Sequence, residues 1–168
     1  MRGKRVNILL KQQTLLVIRA LYFCREKKWA ELEKKFKLTP AQQHILFLLG
    51  THNQKITPTQ ISVLGCWHPS TVTRLLKPLK EKGLVEITAN KEHLRYKFVA
   101  ISKSGKEVLD QIMDEVKEME QFPLNLSHLS ENELMSFLEY GQMIAGVQKG
   151  DAFRKMLIDA RVENYDYA

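Results

Sequence analysis

Residues 65 to 83 have the sequence GCWHPSTVTRLLKPLKEKG, which contains an amphipathic helix. Its apolar residues recur at intervals of three and four positions, so they share one side of a helix, and that side must be buried. They are Val72, Leu75, Leu76 and Leu79. The opposite side carries hydroxyls and cations, namely Ser70, Thr73, Arg74 and Lys77, with Thr71 on the flank. Such groups bind phosphate oxygens and base edges when a helix enters a major groove.

A short helix is predicted just before this one. Thr57 is placed as its N-cap, with Gln60 completing a capping box, and Gly65 is placed to end it. His68 then takes the capping position of the second helix. Two helices joined by so short a turn, the second one basic outside, predict a helix-turn-helix over residues 57–80.

Two segments of strand character follow the second helix, from Leu84 to Thr88 and from Tyr96 to Ile101. The residues between them are polar and charged, so the pattern predicts a hairpin over residues 84–101. A hairpin directly after such a helix is the wing of a winged helix. Its tip carries Lys91 and Arg95, which could reach a minor groove or a phosphate.

Motifs along the chain resemble the MarR family of bacterial transcriptional regulators. LTPAQQHIL at 38–46 is similar to the family's leucine-threonine-x-x-glutamine helix start, and it is followed by STVTRLL at 70–76, LKEKGLV at 79–85 and ISKSG at 101–105. The motifs stand in the family's order over about residues 38 to 145, and this order is more specific than any single match. The resemblance implies a dimeric winged-helix regulator.

The wing tip departs from the family's pattern. The usual form is Asp-x-Arg-Asp-x-Arg, and this chain has Asn90, Glu92, His93 and Arg95 at those four places. Only the last arginine is retained, so the resemblance implies a minor-groove role for Arg95 but no stiffening aspartate to arginine pair. The Gly-x-x-His-x-Ser-Thr pattern at 65–71 is also similar to the Hpr branch of the family.

The charge of the chain is unevenly distributed. Net charge is +7 over 168 residues. Residues 1–56 hold 12 lysines and arginines against 3 acids, residues 57–103 hold 8 against 3, and residues 104–168 hold 6 against 13. A polyanion is therefore attracted to the first two segments and repelled by the third. The acidic end is not expected to face DNA.

Composition and spacing exclude several classes of protein. No apolar run reaches the roughly 18 residues of a membrane span, and no signal-peptide pattern follows the basic start, so we expect a cytoplasmic protein. Cys24 and Cys66 are expected to be small buried residues in a reducing compartment. No metal-ligand spacing, phosphate loop or catalytic constellation is present, so neither a cofactor nor an enzyme is expected.

Further helices are predicted outside the winged region. The first runs from about Val6 to Lys35 with a break near Trp29, and the second starts at the Thr39 cap and ends near Gly50.

A long helix then begins at Ser102 and is stopped by Pro123. Ser130 and Glu133 form a capping box for the next helix, whose residues Leu134, Phe137, Leu138 and Ile144 are expected to face inward. The last helix is expected from the Asp151 cap to about Val162.

The predicted fold is mainly α with a small two-stranded β wing. We expect a single MarR-type domain over residues 1–168, in which residues 38–103 form the winged helix-turn-helix. Residues 1–37 and 104–168 are expected to form dimerisation helices, because they carry more apolar surface than a small lobe can cover. A self-contained monomer is the alternative.

Two functions remain open at this point. The first is a homodimeric, sequence-specific regulator of double-stranded DNA, expected to be a repressor that binds a palindromic operator, with Arg74 as the best candidate for base recognition. Pro78 is expected to bend the recognition helix after Lys77. The second is a winged-helix module that binds a protein partner without DNA sequence specificity. A small-molecule effector is compatible with the first function, but no residue pattern specifies one.

Overall fold

The chain is mainly helical, with a two-stranded wing, as the sequence predicts. The computed structural model describes residues 7–52, 55–89, 97–119 and 124–159. Its elements are α1 (Ile8–Phe36), α2 (Pro40–Gly50), α3 (Pro58–Leu64), α4 (Pro69–Glu81), β1 (Val85–Ala89), β2 (Lys97–Ile101), α5 (Lys103–Glu118), α6 (Glu131–Lys149) and α7 (Asp151–Asp159).

Helices α2 to α6 begin directly after the caps that the sequence predicts, whereas Asp151, expected as the cap of the last helix, is the first residue of α7. The Thr39 hydroxyl accepts from the Gln42 N–H of α2, and the Gln42 side chain accepts from the Thr39 N–H at 2.9 Å. The same reciprocal box starts α3 at Thr57 and α6 at Ser130. Ser102 caps α5, and its hydroxyl donates to the Gly83 carbonyl at 2.6 Å. These bonds satisfy N–H groups that have no partner inside the helix.

The turn between α3 and α4 differs from the prediction in one detail. Gly65 is the C-cap of α3 as expected, but the left-handed residue is Cys66, with φ of 55°. The Cys66 N–H donates to the Val63 carbonyl at 3.2 Å, and the Trp67 N–H donates to the Ser62 carbonyl at 2.9 Å. These two bonds form a Schellman motif. The bond from the Trp67 N–H lies directly before the N-cap of α4, so it determines how the chain enters that helix.

The end of α4 uses the same motif with a glycine in the left-handed position. Gly83 has φ of 71°, and the Leu84 N–H donates to the Leu79 carbonyl at 2.9 Å. The helix continues through Pro78, which is half-buried, to Glu81. This ending turns the chain from α4 into the wing.

The wing is an antiparallel pair in which Val85 lies opposite Ile101 and Ala89 opposite Lys97. The sequence did not predict a third contribution to this sheet. Ile56, just before α3, forms a bridge with Val99 through N–H to carbonyl bonds of 3.1 and 2.8 Å. The bridge ties the wing to the start of the helix-turn-helix. The predicted tip, residues 90–96, lies outside the described residues.

The core lies where α2 meets the C-terminal end of α1, the helix-turn-helix, the wing and α5. Its buried side chains are Leu32, Leu38, Ile45, Leu46, Leu49, Ile56, Ile61, Val72, Leu76, Leu79, Leu84, Val85, Val99, Leu109 and Ile112. On α2, the side chains of Ile45, Leu46, Leu48 and Leu49 are all buried. The predicted buried side of α4 is confirmed for Val72, Leu76 and Leu79, whereas Leu75 is half-buried against the same core.

The prediction for α6 was wrong for most of its inward residues. Phe137, Leu138 and Ile144 are 53%, 51% and 56% exposed, and only Leu134 is half-buried. In the described part of the chain α6 packs mainly on α7, so its apolar side meets no core. The N-terminal half of α1 is exposed in the same way.

Three smaller predictions were also wrong. Cys24 and Cys66 are exposed rather than buried, because Cys24 lies on a part of α1 outside the core and Cys66 is at the tip of the turn. α1 is continuous through Trp29, since no helix-breaking residue interrupts it.

The proposed stop at Pro123 and the end at Val162 lie outside the described residues. Within the described ranges, no helix has the length and apolarity to cross a membrane.

Replacing Gly105 with alanine should destabilise the fold. Gly105 is buried in the first turn of α5, and an added Cβ would lie 2.0 Å from the Leu84 carbonyl oxygen. Because the obstacle is backbone, we expect a loss of at least about 2 kcal/mol in the free energy of unfolding. Urea unfolding followed by circular dichroism measures this loss.

Gly141→Ala is the matched control. Gly141 is exposed in α6, and an added Cβ there meets nothing within 4 Å. The substitution should leave stability unchanged or raise it by up to about 1 kcal/mol, because alanine favours a helix. Equal stabilities of the two variants would contradict the close packing at Gly105.

Candidate nucleic-acid interface

The outer side of α4 is formed by the residues that the sequence assigns to it. Ser70, Thr73, Arg74 and Lys77 are exposed, and Thr71 is half-buried on the flank. Val72, Leu76 and Leu79 on the other side are fully buried or nearly so. The helix is therefore held by one side and presents the other to solvent. The DNA-binding role of these exposed residues stays a prediction.

Local hydrogen bonds order this surface. His68 is the N-cap of α4, and its Nδ1 accepts from the Ser70 N–H at 3.3 Å and lies 2.8 Å from the Ser70 hydroxyl. The Thr73 hydroxyl donates to the Pro69 carbonyl at 3.2 Å. The Arg74 guanidinium donates to the Thr71 hydroxyl at 3.4 Å. These contacts are long or exposed, so they orient the side chains and still leave them available to a ligand.

The cations of α4 have no acidic partner among the described residues. The ion pairs found there join Arg25 to Glu26, Lys28 to Glu31 and Lys35 to Glu115, and all three involve α1. Arg74 and Lys77 thus retain their charge toward solvent. Such uncompensated charges attract a polyanion.

Of the predicted wing residues, Lys91 and Arg95 lie outside the described residues. At the base of the wing, Lys97 is exposed at the start of β2, opposite Ala89.

One residue that the sequence did not assign to the site belongs to this surface. His68, expected only as a cap, is exposed beside Ser70. Its signal was its position at the N-terminus of the recognition helix. Position alone does not show that a side chain reaches the same surface, so the folded chain was needed.

The turn before α4 rests on an aromatic contact. Trp67 is half-buried against the core. Its ring meets the His44 imidazole of α2 edge to face, with centroids 5.4 Å apart. Burial lowers the pKa of His44 below its ordinary value, and the positive charge of Arg25 on α1 lowers it further. His44 is therefore uncharged at neutral pH.

A separate cavity of about 480 Å³ lies between α1, residues 124–129 and α6. Its lining is mostly apolar and includes Leu21, Cys24 and Phe137, with Lys27 and Lys28 also contributing. No group of three or more His, Cys, Asp or Glu side chains in the described ranges is arranged to hold a metal ion. The cavity is suited to an organic ligand rather than to an ion.

Comparison with known sequences agrees with this geometry. The model of the MarR family matches residues 38–96. The HTH-type transcriptional regulator Hpr of Geobacillus thermodenitrificans (strain NG80-2) is 29% identical over 107 residues, which are 64% of this chain and 53% of the relative. Hpr of Bacillus cereus (strain B4264) is 27% identical over 108 residues, 64% of this chain and 58% of the relative. The chain thus spans a little over half the length of these relatives, both of which are named as transcriptional regulators.

Solved structures extend the similarity beyond the helix-turn-helix. A DNA complex of S. aureus MepR is 25% identical with a TM-score of 0.69, over 79% of this chain and 96% of MepR. The transcriptional regulator SlyA, at 22% identity, has a TM-score of 0.68 over 90% of this chain and 99% of SlyA, which shows a shared fold. The family model, the winged-helix fold and the relatives all agree in their similarity to the MarR family.

Proposed function

We propose that this protein is a homodimeric, sequence-specific DNA-binding transcriptional regulator. The observation that carries the proposal is the outer side of α4, where exposed hydroxyls and cations project from a helix anchored by its other side. The similarity to MepR, which has been solved with DNA, supports it. The proposed DNA-binding residues are Ser70, Thr71, Thr73, Arg74, Lys77, Lys91 and Arg95.

Each type of side chain has a distinct role in the proposal. Arg74 lies near the middle of the exposed side, and a guanidinium can donate two parallel bonds to a guanine in the major groove. Lys77 and the hydroxyls bind phosphates and set the register of the helix. Arg95 enters the minor groove from the wing, and Lys91 binds the backbone beside it.

Dimerisation is proposed from the apolar residues at the two ends of the chain. In the first half of α1, Ile8, Leu9 and Leu10 follow one another, so they point to three sides of the helix, and all are more than half exposed. A helix that is apolar all round needs cover on several sides. A second group of exposed apolar side chains lies on α6.

Charge favours a pairing of these two surfaces between subunits. Residues 1–56 are basic and residues 104–168 are acidic, so α1 of one copy and α6 of the other attract each other. Residues 1–37 and 104–168 are accordingly proposed as the dimerisation helices and residues 38–103 as the winged helix-turn-helix of a single domain. A two-fold dimer would present two copies of α4 to half-sites about 34–36 Å apart on a palindromic operator.

The proposal also includes repression and control by a small ligand. A regulator that covers an operator blocks transcription most simply by occupying it, so we propose a repressor. The cavity between α1 and α6 has the size and apolar lining of a ligand site, and it adjoins the proposed dimer helices. A ligand there could therefore alter the spacing of the two α4 helices.

Substitutions in α4 test DNA recognition. Operator fragments are first selected from genomic DNA by the purified protein. Arg74→Ala should lose about 1 to 3 kcal/mol of operator binding and relax preference at one base pair, since it removes a base contact. Lys91→Ala should weaken operator and random DNA alike. Lys80→Ala, beyond Pro78 on the same helix, is the matched control for Arg74 and should change affinity by less than about twofold.

The same titrations decide between the two functions. Affinity should fall log-linearly with salt, because phosphate binding releases counterions. Absence of DNA binding even at low salt would favour the protein-interaction module instead. Equal losses for Arg74→Ala on operator and random DNA would contradict its role in base recognition.

Pro78 is tested by its replacement with alanine. The substitution restores an N–H that can donate to the Arg74 carbonyl, so α4 should straighten and stability should rise by up to about 3 kcal/mol. We expect operator affinity to fall several-fold. A straight α4 cannot pack its last turn against the core and at the same time place its first turns in the major groove. A crystal structure gives the helix axis and a binding titration the affinity. Pro58→Ala, at the tolerated first position of α3, is the control. An unchanged axis and affinity would deny Pro78 a role.

Leu16→Glu tests the dimer. Leu16 is 65% exposed in the first half of α1, and a carboxylate there would be buried without a partner in the proposed interface. We expect the variant to sediment as a monomer at micromolar concentration, where the parent sediments as a dimer. Ala30→Glu adds the same charge to an exposed position of α1 near the core and should leave a dimer. A parent protein that sediments as a monomer would refute the dimer itself.

A further inference from the structure

We propose that His44 and Trp67 position the recognition helix and that His44 does so only in its uncharged form. The proposal rests on the proposed function for its effect on DNA, whereas the contact itself is tested without DNA. Neither residue lies on the exposed side of α4, so their role is to position that helix rather than to bind DNA.

Trp67 lies over the backbone of the turn. A Cβ added at Gly65 would come within 2.3 Å of the Trp67 ring, so only glycine leaves room for the indole at this place. The Trp67 N–H donates to the Ser62 carbonyl at 2.9 Å, which holds its backbone against the end of α3. Trp67 is therefore restrained both at its backbone and at its ring.

The restrained tryptophan determines where α4 begins. His68, the next residue, is the N-cap of α4, and Pro69 is its first residue with a fixed φ. Cys66, the preceding residue, has a left-handed φ of 55°, which is unfavourable for a residue with a side chain. The turn thus has little freedom of its own, and a shift of Trp67 would move the first turn of α4.

His44 supplies the contact that keeps the indole in place. It projects from α2, and the plane of its imidazole ring makes an angle of 86° with the plane of the Trp67 indole. On its other side the imidazole lies roughly parallel to the Phe47 ring, at 6.3 Å. An uncharged imidazole is stable in this half-buried aromatic setting, whereas a charged one loses hydration there.

The charged groups around His44 oppose its protonation. Arg25 of α1 is the charged residue that lowers its pKa, and Arg25 is itself paired with Glu26 at 2.9 Å. From the turn, the titratable neighbours of Trp67 are Cys66 and His68, both of which are exposed. Since the pKa of His44 is lower in the folded chain than in the unfolded chain, its contribution to stability is complete above about pH 6.5. That contribution is lost as the pH falls below this value.

Fluorescence tests the contact in the absence of DNA. The chain has two tryptophans, so Trp29→Phe leaves Trp67 as the only indole. A protonated imidazole quenches a neighbouring indole, and we expect acid quenching with a midpoint below about 6.5. His44→Phe in the same background keeps an aromatic ring but cannot be protonated, so this quenching should disappear. An identical acid transition in both proteins would overturn the proposal.

DNA binding tests the positioning role. His44→Ala and Gly65→Ala both disturb the indole, one by removing its neighbour and the other by occupying its place. Each should lower operator affinity by about tenfold while random-DNA affinity changes by less than about twofold, because misplacing α4 costs base contacts first. His44→Phe should bind the operator like the parent at pH 7.5. His52→Gln, which removes an imidazole just beyond the end of α2, is the control and should match the parent.

The pH profile separates positioning from mere stability. Between pH 7.5 and 5.5 the operator affinity of the parent should fall relative to that of His44→Phe. The exposed His68 is present in both proteins, so its effect cancels in the ratio of the two affinities. Circular dichroism at each pH verifies that both proteins are folded. Parallel profiles, or parent-like operator binding by both His44→Ala and Gly65→Ala, would overturn the proposal. If the parent binds no DNA at all, the proposed function fails, and the fluorescence titration still decides whether His44 controls Trp67.

Discussion

The burial of one side of α4 against the core is the constraint on which the rest of this structure depends. Val72, Leu76 and Leu79 leave the solvent almost completely, and such burial is worth about 1.5–3 kcal/mol for each side chain. Once these residues are buried, the helix cannot rotate about its axis. The exposed hydroxyls and cations on the opposite side then acquire a fixed direction. In the proposed function, these packing contacts determine which side chains α4 presents to DNA, although the contacts themselves involve no DNA.

Rotation about the axis is only one of the motions that must be restrained, and the turn before α4 restrains its position along the core. Here Gly65 is needed for space rather than for a left-handed backbone, which Cys66 adopts instead. A turn that accepts such strain must be held by its neighbours. Trp67 and His44 provide this hold, and they connect the recognition helix to α2. The positive charge of Arg25 also lowers the pKa of His44. Arg25 lies on α1, the helix that we propose to lie at the dimer interface.

The two ends of the chain obey a different constraint. The C-terminal end of α1 belongs to the core, but its first half and most of α6 carry apolar side chains without cover in a single chain. Exposed apolar surface of this extent is unusual for a monomer and typical of an interface. Their opposite charges favour pairing between copies. The proposed DNA-binding lobe and the C-terminal end of α1 meet at α2.

The sequence by itself determined the starts of α2 to α6, the capping boxes at Thr39, Thr57 and Ser130, the two sides of α4 and the hairpin after it. These features depend on interactions between residues close in the chain, so local patterns suffice to predict them. Tertiary structure decided the rest. It exposed Cys24 and the apolar side of α6, joined Ile56 to the wing, and placed His44 against Trp67. Each of these outcomes depends on which distant segment lies alongside, and periodicity within one helix carries no information about that neighbour.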